Sequence, residues 1–422
     1  MIKDILNEQN RHWFNEKKEY VKREKFQILL KYLPLKQVIT VTGIRRCGKS
    51  SLAKMAINHL IENGTNPINI LFVNLEQPYF LEYQQDATFL NKIYDEYLKL
   101  VNPIGKTYVI FDEVQFFDNW EVFIKSKYES SDIKFIVTGS NSSMLSSELA
   151  TILTGRSLNI HLDTFSFKEF LDYKKIDYSS ELMQTNNRID ISRAKEEYLN
   201  WGGFYEVFEI EDEFTKKSLL VSYIRNIIYR DIVPRYNIRN SQTVEKLFFY
   251  LLNNATTILN YTTLSKTFEL SDKTIKEYIS YFEETFAMKR IDKYHTKPKE
   301  RIKSVKKIYI KDNGFLQVAP KKAPNLGTLL ENSIYNYLSS KTEDVTYLKD
   351  TYEIDFYDEK TLFQVSYNIE DEKTKQRELR AFEHFKKEKQ KAKLITFDTD
   401  EEIDDIDDIE IVSFERFIFN DE

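Results

Sequence analysis

Residues 43–50 read Gly-Ile-Arg-Arg-Cys-Gly-Lys-Ser, a G-x-x-x-x-G-K-S string. This string constrains the fold more than any other segment, because it works only between a strand and a helix. Both flanks meet that condition. Val38-Ile39-Thr40-Val41-Thr42 before it has a short buried-strand pattern, and Ser51-Leu52-Ala53-Lys54-Met55-Ala56 after it opens a helix. The two glycines let backbone N–H groups turn onto phosphate oxygens, and the helix N-terminus adds partial positive charge. The expectation is a loop of Gly43, Ile44, Arg45, Arg46, Cys47, Gly48, Lys49, Ser50 and Ser51 that cradles nucleotide phosphates. Lys49 would reach the β- and γ-phosphates and Ser50 would hold Mg²⁺.

A second element turns a phosphate cradle into a site for hydrolysis. Lys106-Thr107-Tyr108-Val109-Ile110-Phe111 is an apolar strand that ends in Asp112-Glu113. A carboxylate at the carboxyl end of a buried strand can hold the Mg²⁺ shell, and its neighbour can polarise the attacking water. Asp112 is assigned to the metal and Glu113 to the water. ATP is the expected nucleotide, although the sequence does not decide adenine against guanine outright, since no guanine-reading N-K-x-D motif is evident.

The 422 residues are enough for two to four domains. With a net charge of −6, no global basic field recruits nucleic acid, so any such surface is a local patch. The single cysteine, Cys47, excludes a disulfide framework and a Cys-based zinc site and fits a reducing cytosol. The start of the chain lacks the apolar run of a signal peptide, and no run of about 18 apolar residues predicts a membrane span. The expected location is cytoplasmic, with no membrane partner.

Residues 1–36 read as helical and polar. Strands at Ile70–Leu75, Lys106–Asp112 and Ile133–Thr138 then alternate with helices, which predicts a mostly parallel sheet with active groups at its carboxyl ends. From about 166 to 240 the pattern is helical, interrupted by Gly202-Gly203. Helices from Val244 to Leu252, Thr262 to Phe268 and Lys273 to Thr285 follow, the third capped by Ser271-Asp272. The next stretch is basic, from Lys289 to Lys311, and two strands around a basic turn after such helices predict a winged helix. Lys273 and Lys276 on its third helix, and Lys297, Lys299, Arg301 and Lys303 near the wing, are the expected contacts to DNA phosphates. Residues 326–422 read as a separate α/β unit with an acidic tail.

These residues resemble a family of prokaryotic AAA-type P-loop ATPases that carry a C-terminal winged helix and a restriction-endonuclease-like domain. The resemblance rests on the loop at 43–50, Asp112-Glu113-Val114-Gln115 with Trp120, and Thr138-Gly139-Ser140-Asn141 followed by Leu153-Thr154-Gly155-Arg156. It extends to Phe165–Phe170, Tyr198-Leu199 with Gly202-Gly203, Gly327 with Glu331-Asn332, Glu353–Phe356, Gln364–Tyr367 and Arg377-Glu378. It implies that Asn141 is a sensor that positions the water, and that Arg156 is a sensor or arginine finger, in its own subunit or in a neighbour's. In the last domain Glu331, Asp355 and Gln364 fit the first three places of a nuclease site. Ser366 stands where its lysine would be, so the domain is read as non-cutting, with Lys373 or Lys375 as the alternative lysine.

The resulting expectation is an α/β architecture: an N-terminal helical segment (1–36), a P-loop ATPase domain (37–165), a helical lid (166–240), a winged helix (241–311) and a degenerate restriction-endonuclease-like domain (312–422). The expected activity is Mg²⁺-dependent ATP hydrolysis coupled to DNA binding or remodelling, with homo-oligomerisation open. One alternative is a slow nucleotide switch acting on a protein partner through the winged helix, in signalling or phage defence. The other is an active metal-dependent nuclease.

Overall fold

A run of Val, Ile and Thr strongly favours extended backbone, and Val38–Thr42 forms strand β1, buried along its whole length. A computed structural model describes residues 1–86, 88–142, 155–320, 325–342, 344–387, 390–402 and 409–420. The chain divides into two compact units, residues 1–163 with 284–286, and residues 164–283 with 287–422.

In the first unit β1 joins β2 (Ile70–Asn74), β3 (Thr107–Asp112), β4 (Ile133–Gly139) and β5 (Ser157–His161). All pair in parallel, in the order β2-β3-β4-β1-β5. Parallel strands need crossovers, and the crossovers here are helical. Helix α1 spans Ile2–Gln9, α2 Phe26–Tyr32, α3 Lys49–Glu62, α4 Phe89–Val101 and α5 Trp120–Ser130. Leu90, Ile93 and Tyr97 of α4 and Phe123 and Ile124 of α5 share one core with Val109 and Phe111 of β3. The register sets Thr42 beside Gly139 and Asn74 beside Asp112. Everything that follows β1, β3 and β4 therefore emerges along one edge of the sheet, where ligands of such sheets bind.

The first 36 residues are less polar in role than their composition suggests. Ile5 and Leu6 of α1 are buried in the sheet's core. β2 is an edge strand, and side chains from residues 9–13 satisfy its outward backbone. Asn10 Nδ2 donates to Phe72 O at 2.9 Å and Asn10 Oδ1 accepts from Phe72 N at 2.7 Å. Gln9 accepts from Asn74 N, and Trp13 Nε1 donates to Ile70 O. Further along, the buried Lys134 of β4 donates to the carbonyls of Tyr32, Leu35 and Gln37 at 2.5–2.9 Å.

The second unit begins with helices, among them Phe167–Lys174, Arg188–Trp201 and Glu213–Asn226. A π-helical turn at Ile227–Ile232 follows. Helices Ser241–Leu252, Tyr261–Phe268 and Asp272–Glu284 come next, then the antiparallel pair β6 (Met288–Asp292) and β7 (Lys306–Ile310). Ser271 Oγ accepts from Thr274 N and caps the third of these helices. The sequence predicted a basic turn between the two strands, but residues 298–303 form a helix there. Pro298 opens it, at a position where a missing N–H costs nothing. A six-stranded mixed sheet closes the chain, in the order β12-β13-β11-β10-β9-β8. Its strands are β8 (Thr346–Lys349), β9 (Glu353–Tyr357), β10 (Thr361–Val365), β11 (Lys391–Thr396), β12 (Glu401–Glu402) and β13 (Ile409–Ser413). Among the described residues, no helix is long and apolar enough to cross a membrane.

Asn10→Ala removes both bonds to Phe72 and leaves a buried N–H and C=O unpaired. The expected loss is about 2–4 kcal/mol, since each such group costs about 1–3 kcal/mol. Urea denaturation followed by tryptophan fluorescence measures it, and an unchanged midpoint would mean that the edge cover carries no stability.

Candidate nucleotide site

The loop between β1 and α3 is built around two glycines. A Cβ on Gly43 would lie 2.0 Å from Leu162 O, and Gly48 has φ +102° as it starts α3. Arg46 also has a positive φ, of 70°, and is exposed. Ile44 and Cys47 are buried, and burial pushes the Cys47 thiol above its usual range. Ser50 and Ser51 lie in the first turn of α3.

Lys49 is 2% exposed and its Nζ donates to Gly43 O at 3.1 Å and Ile44 O at 3.2 Å. It also lies 3.5 Å from Glu113 Oε1. Burial works against its charge, but the carboxylates of Glu113 and Asp112 outweigh burial and hold its pKa above the usual value. Ser50 Oγ donates to Asp112 Oδ2 at 2.7 Å, and Thr138 Oγ1 donates to Asp112 Oδ1 at 2.6 Å. Thr138 Oγ1 in turn accepts from Glu113 N at 3.1 Å.

The two adjacent carboxylates are driven apart. Burial and the charge of Glu113 raise the Asp112 pKa, against the bonds from Thr138 and Ser50. Burial also opposes the Glu113 charge, but Lys49, Arg45, Gln115 and Ser140 overcome it and lower the Glu113 pKa. The donor set of Ser50 hydroxyl and Asp112 carboxylate, all oxygen, suits a hard divalent cation, whose own charge would favour ionised Asp112.

Several neighbours were not anticipated. Arg45 pairs with both oxygens of Glu76, just beyond β2, at 3.0 and 3.1 Å. Arg23 reaches the loop from behind, donating to Cys47 O and Asp163 O, each at 2.7 Å. Gln115 bridges Glu113 and Ser140. Apart from Gln115, which stands in the Asp112-Glu113-Val114-Gln115 string, these partners are far apart in sequence, so no local motif could announce them.

The structure thus brings Gly43 to Ser51, Asp112 and Glu113 to one edge of the sheet, with Asn141 buried just beyond β4. Arg156 is not there. Its carbonyl accepts from Val38 N at the other end of β1, and its guanidinium donates to Glu129 of α5 at 2.7 Å. Val38 pairs with Ser157 and Thr42 with His161. At roughly 3.3 Å per residue, Arg156 lies about 16 Å along the strand from the loop's end of the sheet. A sensor or finger acting on its own subunit's phosphates is therefore excluded. Residues 143–154, including the Leu153-Thr154 part of the resemblance, lie outside the described residues.

In the second unit, Lys273 and Lys276 are exposed on their helix, with Lys276 over the Tyr261 ring. Lys297, Lys299 and Lys303 are exposed as well. Arg301 is half-buried and faces two carboxylates. It lies 3.6 Å from Asp292 and 3.7 Å from Asp344, both carboxylates of its own chain.

Glu331 and Asp355 converge, and the lysine between them comes from β7. Lys307 Nζ lies 3.2 Å from Asp355 and 3.5 Å from Glu331, and it also pairs with Glu353. Ser366 instead donates to Asn368 O, and Gln364 accepts from Asp355 N. Burial and Asp355 push the Glu331 pKa up to about 8, against Lys307 and Tyr309. The lysine the structure places between Glu331 and Asp355 is one the sequence reading did not name for that place. The signal for Lys307 was buried in the basic run from 289 to 311, where it looked like one more surface charge. Among the described residues, no group of three or more His, Cys, Asp or Glu side chains could hold a metal.

Residues 35–171 match the AAA domain family, and residues 192–325 match a domain of unknown function, DUF8612. An uncharacterised protein of Haemophilus influenzae is 30% identical over 366 residues, 83% of this chain and 88% of that one. Another, of Methanocaldococcus jannaschii, is 30% identical over 370 residues, 84% and 80% of the two chains. Among solved structures, the chain is similar to the Aeropyrum pernix Orc1 protein in complex with DNA, at 10% identity and a TM-score of 0.33, covering 78% of this chain and 98% of that one.

Lys307→Met leaves a buried carboxylate cluster without its cation, which costs about 3–5 kcal/mol when one partner is removed. A carboxyl whose folded pKa is raised contributes stability below its unfolded value and loses it as pH rises through the folded one. For Glu331 that window runs from the ordinary glutamate value of 4.5 up to about 8. The variant's deficit in urea denaturation should therefore be large at pH 8.5 and smaller at pH 5. A deficit equal at both would mean that the cluster's charge is not what Lys307 holds.

Proposed function

We propose that this chain, which belongs to one family with uncharacterised proteins of Haemophilus influenzae and Methanocaldococcus jannaschii and carries an AAA domain over residues 35–171, is a Mg²⁺-dependent ATPase that couples nucleotide turnover to DNA binding. The observation that carries this reading is the convergence of Lys49, Ser50, Asp112 and Glu113 at the carboxyl ends of β1 and β3. Backbone N–H groups of the loop and the start of α3 bind the phosphates, and Lys49 exchanges Glu113 for the γ-phosphate as the nucleotide enters. Ser50 and Asp112 would hold Mg²⁺, which supplies charge neutralisation on the phosphate oxygens. Glu113 accepts the proton of the water that attacks in line. Asn141 is assigned the sensor role. Arg156 enters this reading only as a finger offered to a neighbouring copy in a homo-oligomer.

DNA binding is read from exposed lysines in a chain of net charge −6. The three helices from 241 to 284 and the pair β6–β7 follow the order of a winged helix, with the helix at 298–303 in place of a simple wing turn. Lys273, Lys276, Lys297, Lys299 and Lys303 are the proposed phosphate contacts. The pairing of Arg301 with Asp292 and Asp344 favours a second reading, a nucleotide switch with a protein partner on this surface. The cluster at Glu331 and Asp355 is read as a closed, non-cutting remnant of a nuclease-like domain, because Ser366 stands at the lysine's place and Lys307 already pairs with the carboxylates that would hold a metal.

Lys49→Ala should abolish ATP turnover. Glu113→Gln should retain ATP binding and lose about 10²–10³-fold in kcat, as for removal of one preorganised group. Phosphate release assays beside binding of a fluorescent ATP analogue separate the two effects. Hydrolysis by Glu113→Gln at the parental rate would remove Glu113 from the chemistry.

Replacing Lys297, Lys299 and Lys303 together by Glu should weaken duplex binding and flatten its log–log salt dependence by about 2.7, at about 0.9 per phosphate contact. Fluorescence anisotropy across a salt series measures both. Equal slopes in parent and variant would move the nucleotide switch ahead.

A further inference from the structure

Glu113 does not sit in relaxed backbone. It has φ 59° and ψ 49°, a left-handed conformation that a residue with a side chain adopts at a cost of about 1–2 kcal/mol. Something must hold it there. Its N–H is taken by Thr138 Oγ1 at 3.1 Å, which fixes the backbone against β4. Two side chains grip its carboxylate at contact distance, while Arg45 and Ser140 also favour its charge. Oε1 faces Lys49 at 3.5 Å, and Oε2 accepts from Gln115 Nε2 at 2.5 Å.

The two grips are not equivalent during turnover. Lys49 is the group that must swing to the phosphates, so its hold on Glu113 weakens when a nucleotide binds. Gln115 carries no charge for phosphate to attract, and its hold survives. The same amide nitrogen donates to Ser140 Oγ at 3.0 Å, so both of its hydrogens are used, one on each strand end. The orientation of this amide is set by chemistry. Turned over, its carbonyl would face the Glu113 carboxylate, acceptor against acceptor. The orientation that avoids this leaves Gln115 Oε1 buried and without a protein partner among the described residues, so the bond to Glu113 outweighs that loss. Ser140 is fully buried and directly follows β4, which ties the amide to the rigid sheet rather than to a mobile surface.

We propose that Gln115 is a positioning residue for Glu113: it keeps the carboxylate aimed at the water's place while Lys49 transfers to the phosphates. The inference rests on the ATPase reading above and adds to it a residue that acts through Glu113 without touching the nucleotide. Gln115→Met keeps the length and volume of the side chain and removes its donors. Misplacing a catalytic group by about an ångström costs about 10²-fold. The expected result is a fall in kcat of about 10- to 100-fold, with affinity for a fluorescent ATP analogue within about threefold of the parent's. In a Glu113→Gln background the same substitution should cause no further fall, because the group it positions is gone.

The measurements are steady-state phosphate release, analogue binding and thermal melting for the parent, both single variants and the double variant. A kcat near the parent's overturns the inference, as does a loss confined to nucleotide affinity. Losses that multiply in the double variant also overturn it, since Gln115 would then act apart from Glu113. A parent that hydrolyses no ATP overturns the inference together with the reading beneath it. If Gln115→Met does not fold, Ser140→Ala decides the matter. Removing the amide's second anchor should lower kcat by about 3- to 10-fold with affinity retained, and an unchanged kcat there overturns the inference.

Discussion

The hydrogen bond from Ser50 to Asp112, 2.7 Å long, joins the first turn of α3 to the end of β3. It can form only because β1 and β3 run in parallel, with β4 between them, and end along the same edge. Asp112 gives up water for this contact, at 2% exposed, and Ser50 is half-buried. Thr138 then completes the carboxylate's coordination from β4. A single buried carboxylate, one oxygen to Ser50 and the other to Thr138, thus gathers three segments of chain, and the loop at 43–48, the Lys49 stem and Glu113 take their places around it.

That arrangement was legible in the sequence where chemistry is carried by contiguous residues. The G-x-x-x-x-G-K-S string and Asp112-Glu113 each name their own neighbours, since strand, loop and helix follow one another along the chain. The α/β character of the first unit came from the same alternation. Contacts made by single residues across long separations were not legible. Asn10 meets Phe72 and Lys307 meets Asp355, and nothing in the local pattern of either residue marks it. Arg156 is the converse case. A string resembling a family motif implied a sensor or finger in its own subunit or a neighbour's, and strand register, which the string does not carry, places the residue at the far end of β5 from its own loop. The helix at 298–303 had a legible signal, Pro298 followed by helix-forming residues, which the expectation of a basic turn overrode.

The two units use lysine in a similar way. Lys134 and Lys307 are both basic residues on strands, and both turn inward. Lys134 gathers backbone carbonyls from residues 32–37, whereas Lys307 gathers carboxylates. A buried ammonium is costly unless its donors are met, and here they are met by groups that would otherwise be left unpaired themselves. Counting lysines as surface charge therefore overstates the positive field this chain presents to a polyanion.

The cover over β2 limits how copies of the chain can meet. A bare edge strand is a template on which another strand can pair. Here Gln9, Asn10 and Trp13 fill the outward backbone positions of β2 with amide and indole groups of the same chain. The sheet cannot be continued from one copy into the next on that side, so subunits that associate there must do so through helices and loops. The first residues of the chain act as a built-in terminator of sheet growth, and at this edge an assembly of this protein takes its geometry from helices and loops.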